Sequence, residues 1–204
     1  LVDAVELIDK VDSIIIVDAS DIRGLSNKIN PEKVIEIIDH RKVNEADKFP
    51  NAKVQIELVG SAATLIAEKF YESGTAISKE SSASLYSAIV SNTINFKANV
   101  TTDRDHKMAD WLLKQFELPD NYVQEMFKFK SIFTQPLEEV IKGDIAAIEI
   151  GDKLISIAQL EILNAKSFID VNLNELIKIL SDMKREKGSD FIFLTCIDIE
   201  IGEN

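Results

Sequence analysis

Asp18, Asp39, His40 and Arg41 are the residues of this chain whose types could combine in one reaction. Asp18 closes the apolar run Ile14-Ile15-Ile16-Val17, and Asp39-His40-Arg41 ends the run Val34-Ile35-Glu36-Ile37-Ile38. Short runs of this kind, rich in β-branched residues, read as buried strands. Where such strands lie parallel in an open sheet, ligands bind at their C-terminal ends. Carboxylate and imidazole are together a donor set for a metal ion. Arg41 adds a planar, permanently charged group that is not a base at neutral pH. Further along, Asn92 falls at the helical phase of Leu85, Ala88 and Ile89, a polar amide in an apolar stripe. Each residue also has an ordinary reading on spacing alone. Asp18 can cap the next segment, His40 and Asp39 can form a satisfied pair, and Asn92 can be a buried, hydrogen-bonded amide.

These residues need a frame to hold them. Strands are expected at Val11 to Asp18, Lys33 to Ile38 and Ala52 to Val59, the last alternating Val54, Ile56 and Leu58 against Lys53, Gln55 and Glu57, as a strand near an edge does. The period then changes to helical. Ser61 can cap a helix whose face is Ala63, Ile66, Ala67 and Phe70 and which stops at Gly74. A second helix starts near Lys79. A third follows the capping box Thr102-Asp103-Arg104-Asp105, with Met108, Trp111 and Leu112 inward, and Pro119 opens a fourth through Phe129.

Thr134-Gln135-Pro136 interrupts this pattern, because a residue before proline resists the helical conformation. It is read as a linker at 134–136 between a first domain over 1–133 and a second over 137–204. In the second domain, strands at Ile145 to Ile150 and Lys153 to Ile162 flank a Gly151-Asp152 hairpin turn, followed by a helix from about Asn172 to Lys187 and a strand from Asp190 to Ile199. The fold class expected is α/β, a largely parallel sheet flanked by helices followed by a smaller α/β domain.

Composition narrows the function. The 204 residues are 46% hydrophobic and 28% charged, the profile of a globular protein. No apolar run approaches the roughly 20 residues of a spanning helix, so no membrane role is expected and a cytoplasmic address is the default. A formal charge of −12 argues against a nucleic-acid surface, though not against a small phosphate ligand held by local cations or a metal. The single Cys196 lies in the apolar run Phe191 to Ile197 and reads as a reduced core thiol. His106, between Asp105 and Lys107, reads as a solvated helix residue.

Taken in order, Val17-Asp18, then Ile38-Asp39-His40-Arg41, then Glu57 to Thr64, then Ser87-Ala88-Ile89-Val90-Ser91-Asn92-Thr93, resemble the DHH phosphoesterase superfamily. Their spacing is similar to the family II manganese-dependent inorganic pyrophosphatases and their exopolyphosphatase relatives. The Asp-His-Arg form resembles the prune-like branch, in which Arg replaces the second His. The resemblance implies that the first domain is a DHH metal-site domain and the second a DHH-associated substrate domain, each partial. It implies a hydrolase that cleaves pyrophosphate or short polyphosphate with metal-activated water, using two or more Mn²⁺ or Mg²⁺ ions between the domains. On that view Asp18 bridges two metals, His40 is a ligand, and Asp39 acts behind it by orienting its ring. Arg41 faces the substrate phosphate, and Asn92 stands where the family has a ligand Asp. A homodimer is among the assemblies the resemblance allows.

The chain also departs from that pattern. The family's His-x-x-Pro-Asp-x-Asp motif on the first strand and the basic motif near its C-terminus do not occur in these 204 residues, and Gln135 stands about where a substrate-binding Lys is expected. The competing expectation is therefore a catalytically degenerate module of the same fold that binds a phosphate ligand or a protein partner.

Overall fold

The computed structural model describes residues 8–22 and 25–200. By compactness these fall into two units, Leu1–Leu118 and Pro119–Asn204.

The first unit is built on a parallel sheet of three strands, β1 (Ile14–Val17), β2 (Val34–Asp39) and β3 (Lys53–Ile56), in the order β1-β2-β3. β2 is central, and its run of β-branched residues is buried where it must be: Val34, Ile37 and Ile38 are almost completely shielded. Ile16, Val34, Ile37 and Phe49 form one cluster, whereas Ile38 packs with Val59 and Leu65 beneath the first helix. The alternation in Val54, Ile56 and Leu58 correctly marks β3 as an edge strand, although the strand ends at Ile56 and Leu58 is exposed.

Three helices follow: α1 (Ala62–Ser73), α2 (Lys79–Asn92) and α3 (Asp103–Leu113). Ser61 caps α1 by accepting the Ala63 N–H, and Gly74 ends it with φ 65°, a conformation that glycine adopts without the Cβ penalty other residues meet. The three helices pack on one another, and Leu65, Ile89, Met108 and Leu112 are all fully buried. Each such side chain is worth roughly 1.5–3 kcal/mol of transfer free energy.

The second unit contains α4 (Tyr122–Lys130), α5 (Leu137–Gly143), β4 (Ile145–Ile150), β5 (Lys153–Ile162), α6 (Ala165–Lys187) and β6 (Phe191–Asp198). β4 and β5 form the expected hairpin, turning at Gly151 with φ 63°, and β6 runs parallel to β5. Ile141, Leu160, Ile162, Leu176, Met183 and Cys196 share its core, so the thiol is a packing group whose pKa burial pushes up.

Three features differ from the sequence expectation. The helix expected from Asn172 begins at Ala165, because the Asp198 carboxylate, at the far end of β6, accepts the Ala165 N–H at 2.9 Å. α5 was not anticipated: its seven residues follow Pro136, and its apolar positions Leu137, Val140 and Ile141 turn onto the core. The compact units part between Leu118 and Pro119, so Thr134-Gln135-Pro136 lies within the second. α4 goes with that unit through the Lys130–Glu161 ion pair and the Ser131 hydroxyl, which accepts the Leu163 N–H. The division at 134–136 does not match this partition.

Candidate metal centre

The C-terminal ends of β1 and β2 deliver the chemistry. Asp18 follows the last residue of β1, and its N–H donates to the Ile38 carbonyl at 2.9 Å, extending the parallel ladder. Its φ of 57° then turns the chain out of the strand, a left-handed conformation that Asp tolerates better than most residues. Its carboxylate stays 55% exposed. Asp39 closes β2 and is wholly buried, and His40 emerges beside it. Ligand atoms of Asp18, Asp39 and His40 lie within 4.8 Å of one another.

The His40 ring is held from both sides. Nδ1 lies 2.9 Å from the Val59 carbonyl oxygen, and Nε2 lies 3.2 Å from Asp18 Oδ1. A carbonyl can only accept, so Nδ1 carries the proton and donates to Val59. In the neutral ring, Nε2 then offers a lone pair to a site it shares with an anionic oxygen. Two electron-rich atoms face each other stably only with a positive charge between or upon them, either a proton or a cation. Accordingly the hydrogen bond to Asp18, above all, raises the pKa of His40; burial opposes this and the Val59 carbonyl adds to it.

Asp39 serves a different purpose. Its carboxylate accepts from the Ser20 hydroxyl, from the His40 N–H at 2.7 Å and from Arg41 Nε at 3.1 Å. Burial pushes its pKa up, but the bonds from Ser20, His40 and Arg41 outweigh burial and leave it below the usual aspartate range. Asp39 thus anchors the backbone that carries His40. The Nδ1 side of the ring faces the Val59 carbonyl, while Asp39 meets the His40 backbone N–H.

Arg41 is tied inward: Nε to Asp39, Nη1 to Asp21 at 3.4 Å, and Nη2 to the Asp18 carbonyl at 2.5 Å. Its side chain is 41% exposed. The expected outcome for Arg41→Gln is a loss of about 1–2 kcal/mol at neutral pH, since buried Asp39 would lose its only charged donor among the described residues. Urea unfolding of both proteins checks this.

Asn92 does not point inward. It ends α2 and is exposed, whereas Ser82, Tyr86, Ile89, Val90 and Thr93 form the buried face. That stripe is set one position away from the one read from Leu85, Ala88 and Ile89, and Thr93 takes the buried polar place. Gln135 lines an open cleft of the second unit with Lys130, Thr134 and Glu161. His106 is exposed and stacks on Phe96.

The donor set fits a hard divalent cation. It offers one open carboxylate, one imidazole nitrogen of fixed tautomer and a buried carboxylate at their backs, the mixture that suits Mn²⁺ and Mg²⁺ better than the thiolates preferred by softer metals. Sequence reading missed Ser20, Asp21 and Val59. A backbone carbonyl carries no side-chain signature, and only Gly60, next to Val59, marks the spot as one of close approach.

A parallel sheet with a carboxylate–imidazole centre at its C-terminal edge, followed by a unit with a mixed sheet, is an α/β arrangement that resembles the DHH phosphoesterase superfamily, in its family II pyrophosphatase branch. The relatives are consistent with this. A probable manganese-dependent inorganic pyrophosphatase of Bacillus cereus (strain 03BB102) is 29% identical over 193 residues, covering 94% of this chain and 62% of its own length. That of Bacillus cytotoxicus is 28% identical over 193 residues, with the same coverage. In structure, a Methanococcus jannaschii protein assigned provisionally to the family II inorganic pyrophosphatases matches with a TM-score of 0.77 and 30% identity, over 92% of this chain and 65% of that one. An exopolyphosphatase-related protein from Bacteroides fragilis shares the fold at a TM-score of 0.53 and 16% identity. The chain therefore spans less than two thirds of the length of these relatives. No family model matches it.

Proposed function

We propose that this chain carries the cation-holding part of a metal-dependent hydrolase of phosphoanhydride bonds, with inorganic pyrophosphate or short polyphosphate as substrate. One observation carries the reading: His40, with Nδ1 against the Val59 carbonyl, turns its Nε2 toward the Asp18 carboxylate at 3.2 Å, with Asp39 behind both. The names of the relatives supply the substrate class.

Asp18 and His40 would hold the cation, and Asp39 would keep the loop that carries His40 in place. Mn²⁺ or Mg²⁺, when bound, supplies charge neutralisation for the phosphate and a lowered pKa for water. Arg41, braced by Asp39, would meet a phosphate oxygen only with the outer N–H bonds that Asp21 and the Asp18 carbonyl leave unused. A fully ionised guanidinium there binds charge and does not move protons. The described residues furnish donors for a first cation. Asn92 enters the proposal only through the resemblance, as the place where a carboxylate would complete another shell. Among the described residues no helix is long and apolar enough to cross a membrane, and a cytoplasmic address and a homodimer belong to the proposal.

The second reading, a degenerate binding module, is favoured by Asn92 in place of Asp and by the inward ties of Arg41. Calorimetric titration with Mn²⁺, together with phosphate release from pyrophosphate and tripolyphosphate, separates the two. Binding with release is the expected outcome. Binding without release selects the degenerate module, and absence of binding removes the metal centre altogether. Asn92→Asp should raise Mn²⁺ affinity and give a larger metal-induced rise in melting temperature than the parent. An equal metal response in both proteins would take Asn92 out of the site.

A further inference from the structure

We infer that Asp105 is a positioning residue for His40, acting through the single peptide unit that joins Val59 to Gly60. The inference rests on the reading of His40 as a cation ligand for its functional weight.

The C=O of Val59 and the N–H of Gly60 belong to one planar group, with oxygen and hydrogen on opposite sides. Val59 O takes the Nδ1 proton of His40 at 2.9 Å. On the other side, the Gly60 N–H donates to both oxygens of Asp105, at 3.1 and 2.9 Å. Rotating this peptide plane would break both contacts together. A carboxylate accepting from the N–H also polarises the amide and makes its carbonyl a stronger acceptor, as hydrogen-bonded chains do. Asp105 thus sets both the direction and the basicity of the group that fixes the His40 tautomer.

Asp105 is itself immobilised. It is wholly buried and accepts from Thr64 Oγ1 at 2.5 Å, from the Thr102 N–H at 2.7 Å and from Thr102 Oγ1 at 2.7 Å. Burial pushes its pKa up, while the Thr64, Thr102 and Gly60 donors outweigh burial and keep it ionised. Space at the peptide is equally constrained. A Cβ on Gly60 would lie 2.5 Å from Thr93 Cγ2 and 2.9 Å from Asp105 Oδ2, closer than carbon can come, so glycine is required for the approach. The capping box that the sequence shows at Thr102–Asp105 thus reaches, through four atoms of backbone, the imidazole at the end of β2.

The test uses the full 204-residue chain, free of metal and labelled with ¹⁵N at its two histidines, at a pH alkaline enough for neutral imidazole. His106 serves as the internal reference. In the parent, the long-range ¹H–¹⁵N pattern should show His40 protonated on Nδ1. Asp105→Asn should shift it toward a mixture containing the Nε2-protonated form and should weaken Mn²⁺ binding about 10-fold, as loss of an outer hydrogen-bond partner does. A folded Asp105→Asn protein with the parent's His40 pattern would overturn the inference, even with a lowered melting temperature, because that is the mark of a purely structural carboxylate. Should Asp105→Asn not fold, Thr64→Val removes one donor that aims the carboxylate and should give a smaller shift in the same direction; no shift there also overturns it. A tautomer shift in a chain whose parent binds no Mn²⁺ would uphold the positioning role and refute only the metal reading.

Discussion

Replacing His40 with alanine should reduce Mn²⁺ affinity by more than the ~10–100-fold that loss of an outer hydrogen-bond partner costs a metal site. Among the described residues of the centre, this side chain supplies the one imidazole nitrogen, with Nε2 3.2 Å from Asp18 Oδ1. Stability should fall only modestly, by about 1 kcal/mol, the ordinary worth of the hydrogen bond lost at Val59. Asp18→Asn should weaken binding in the same direction, because a neutral amide oxygen is a poorer ligand for a hard cation than a carboxylate. His106→Ala should leave Mn²⁺ binding untouched, since that ring is exposed and stacked on Phe96. Calorimetry on the three variants is the measurement. Parent-like affinity in His40→Ala would end the metal assignment.

Acid should destabilise the first unit in a way that depends on Asp105. This carboxyl is held below its ordinary value of 3.8, with burial opposing and the donors from Thr64, Thr102 and Gly60 prevailing. A depressed folded pKa means that the unfolded chain binds more protons in the window between the two values. The stabilisation is therefore complete above the unfolded value near 3.8 and is lost as pH falls through it toward the folded pKa. Asp105→Asn should cost about 1.5–3 kcal/mol at neutral pH, the range for hydrogen bonds to a charged group. The variant's disadvantage should shrink as acid removes the parent's advantage. Thermal or urea unfolding from pH 7 down to about pH 3 tests this. Parallel acid limbs in parent and variant would show that Asp105 is not the group titrating.

Much of the frame was legible because it is local. Apolar runs ending in Asp18 and Asp39 mark strands whether or not their neighbours are known, and Ser61, Gly74, Gly151 and the Thr102–Asp105 box mark ends and turns through short-range hydrogen bonds and φ preferences. The pairing of β4 with β5 was legible for the same reason, as a hairpin needs only its turn and its alternation. The start of α6 was not, since the acceptor that caps Ala165 is Asp198, a full helix and strand away. Asn92 failed on a finer point. A stripe displaced by one residue is still a good helix, and only packing against α1 and α3 decides that Thr93 faces inward.

The sequence by itself determined which side chains could do chemistry and that Asp18 and His40 stand at strand ends, because residue type and periodicity are written along the chain. Tertiary structure alone decided how they act. The Val59 carbonyl selects the tautomer of His40, Ser20 and Arg41 keep Asp39 ionised, and Asp105 holds the Val59–Gly60 peptide. The physical reason is that these are hydrogen bonds between distant segments, several made by backbone groups that every residue possesses, so their existence depends on where the chain is folded and not on which letters it contains.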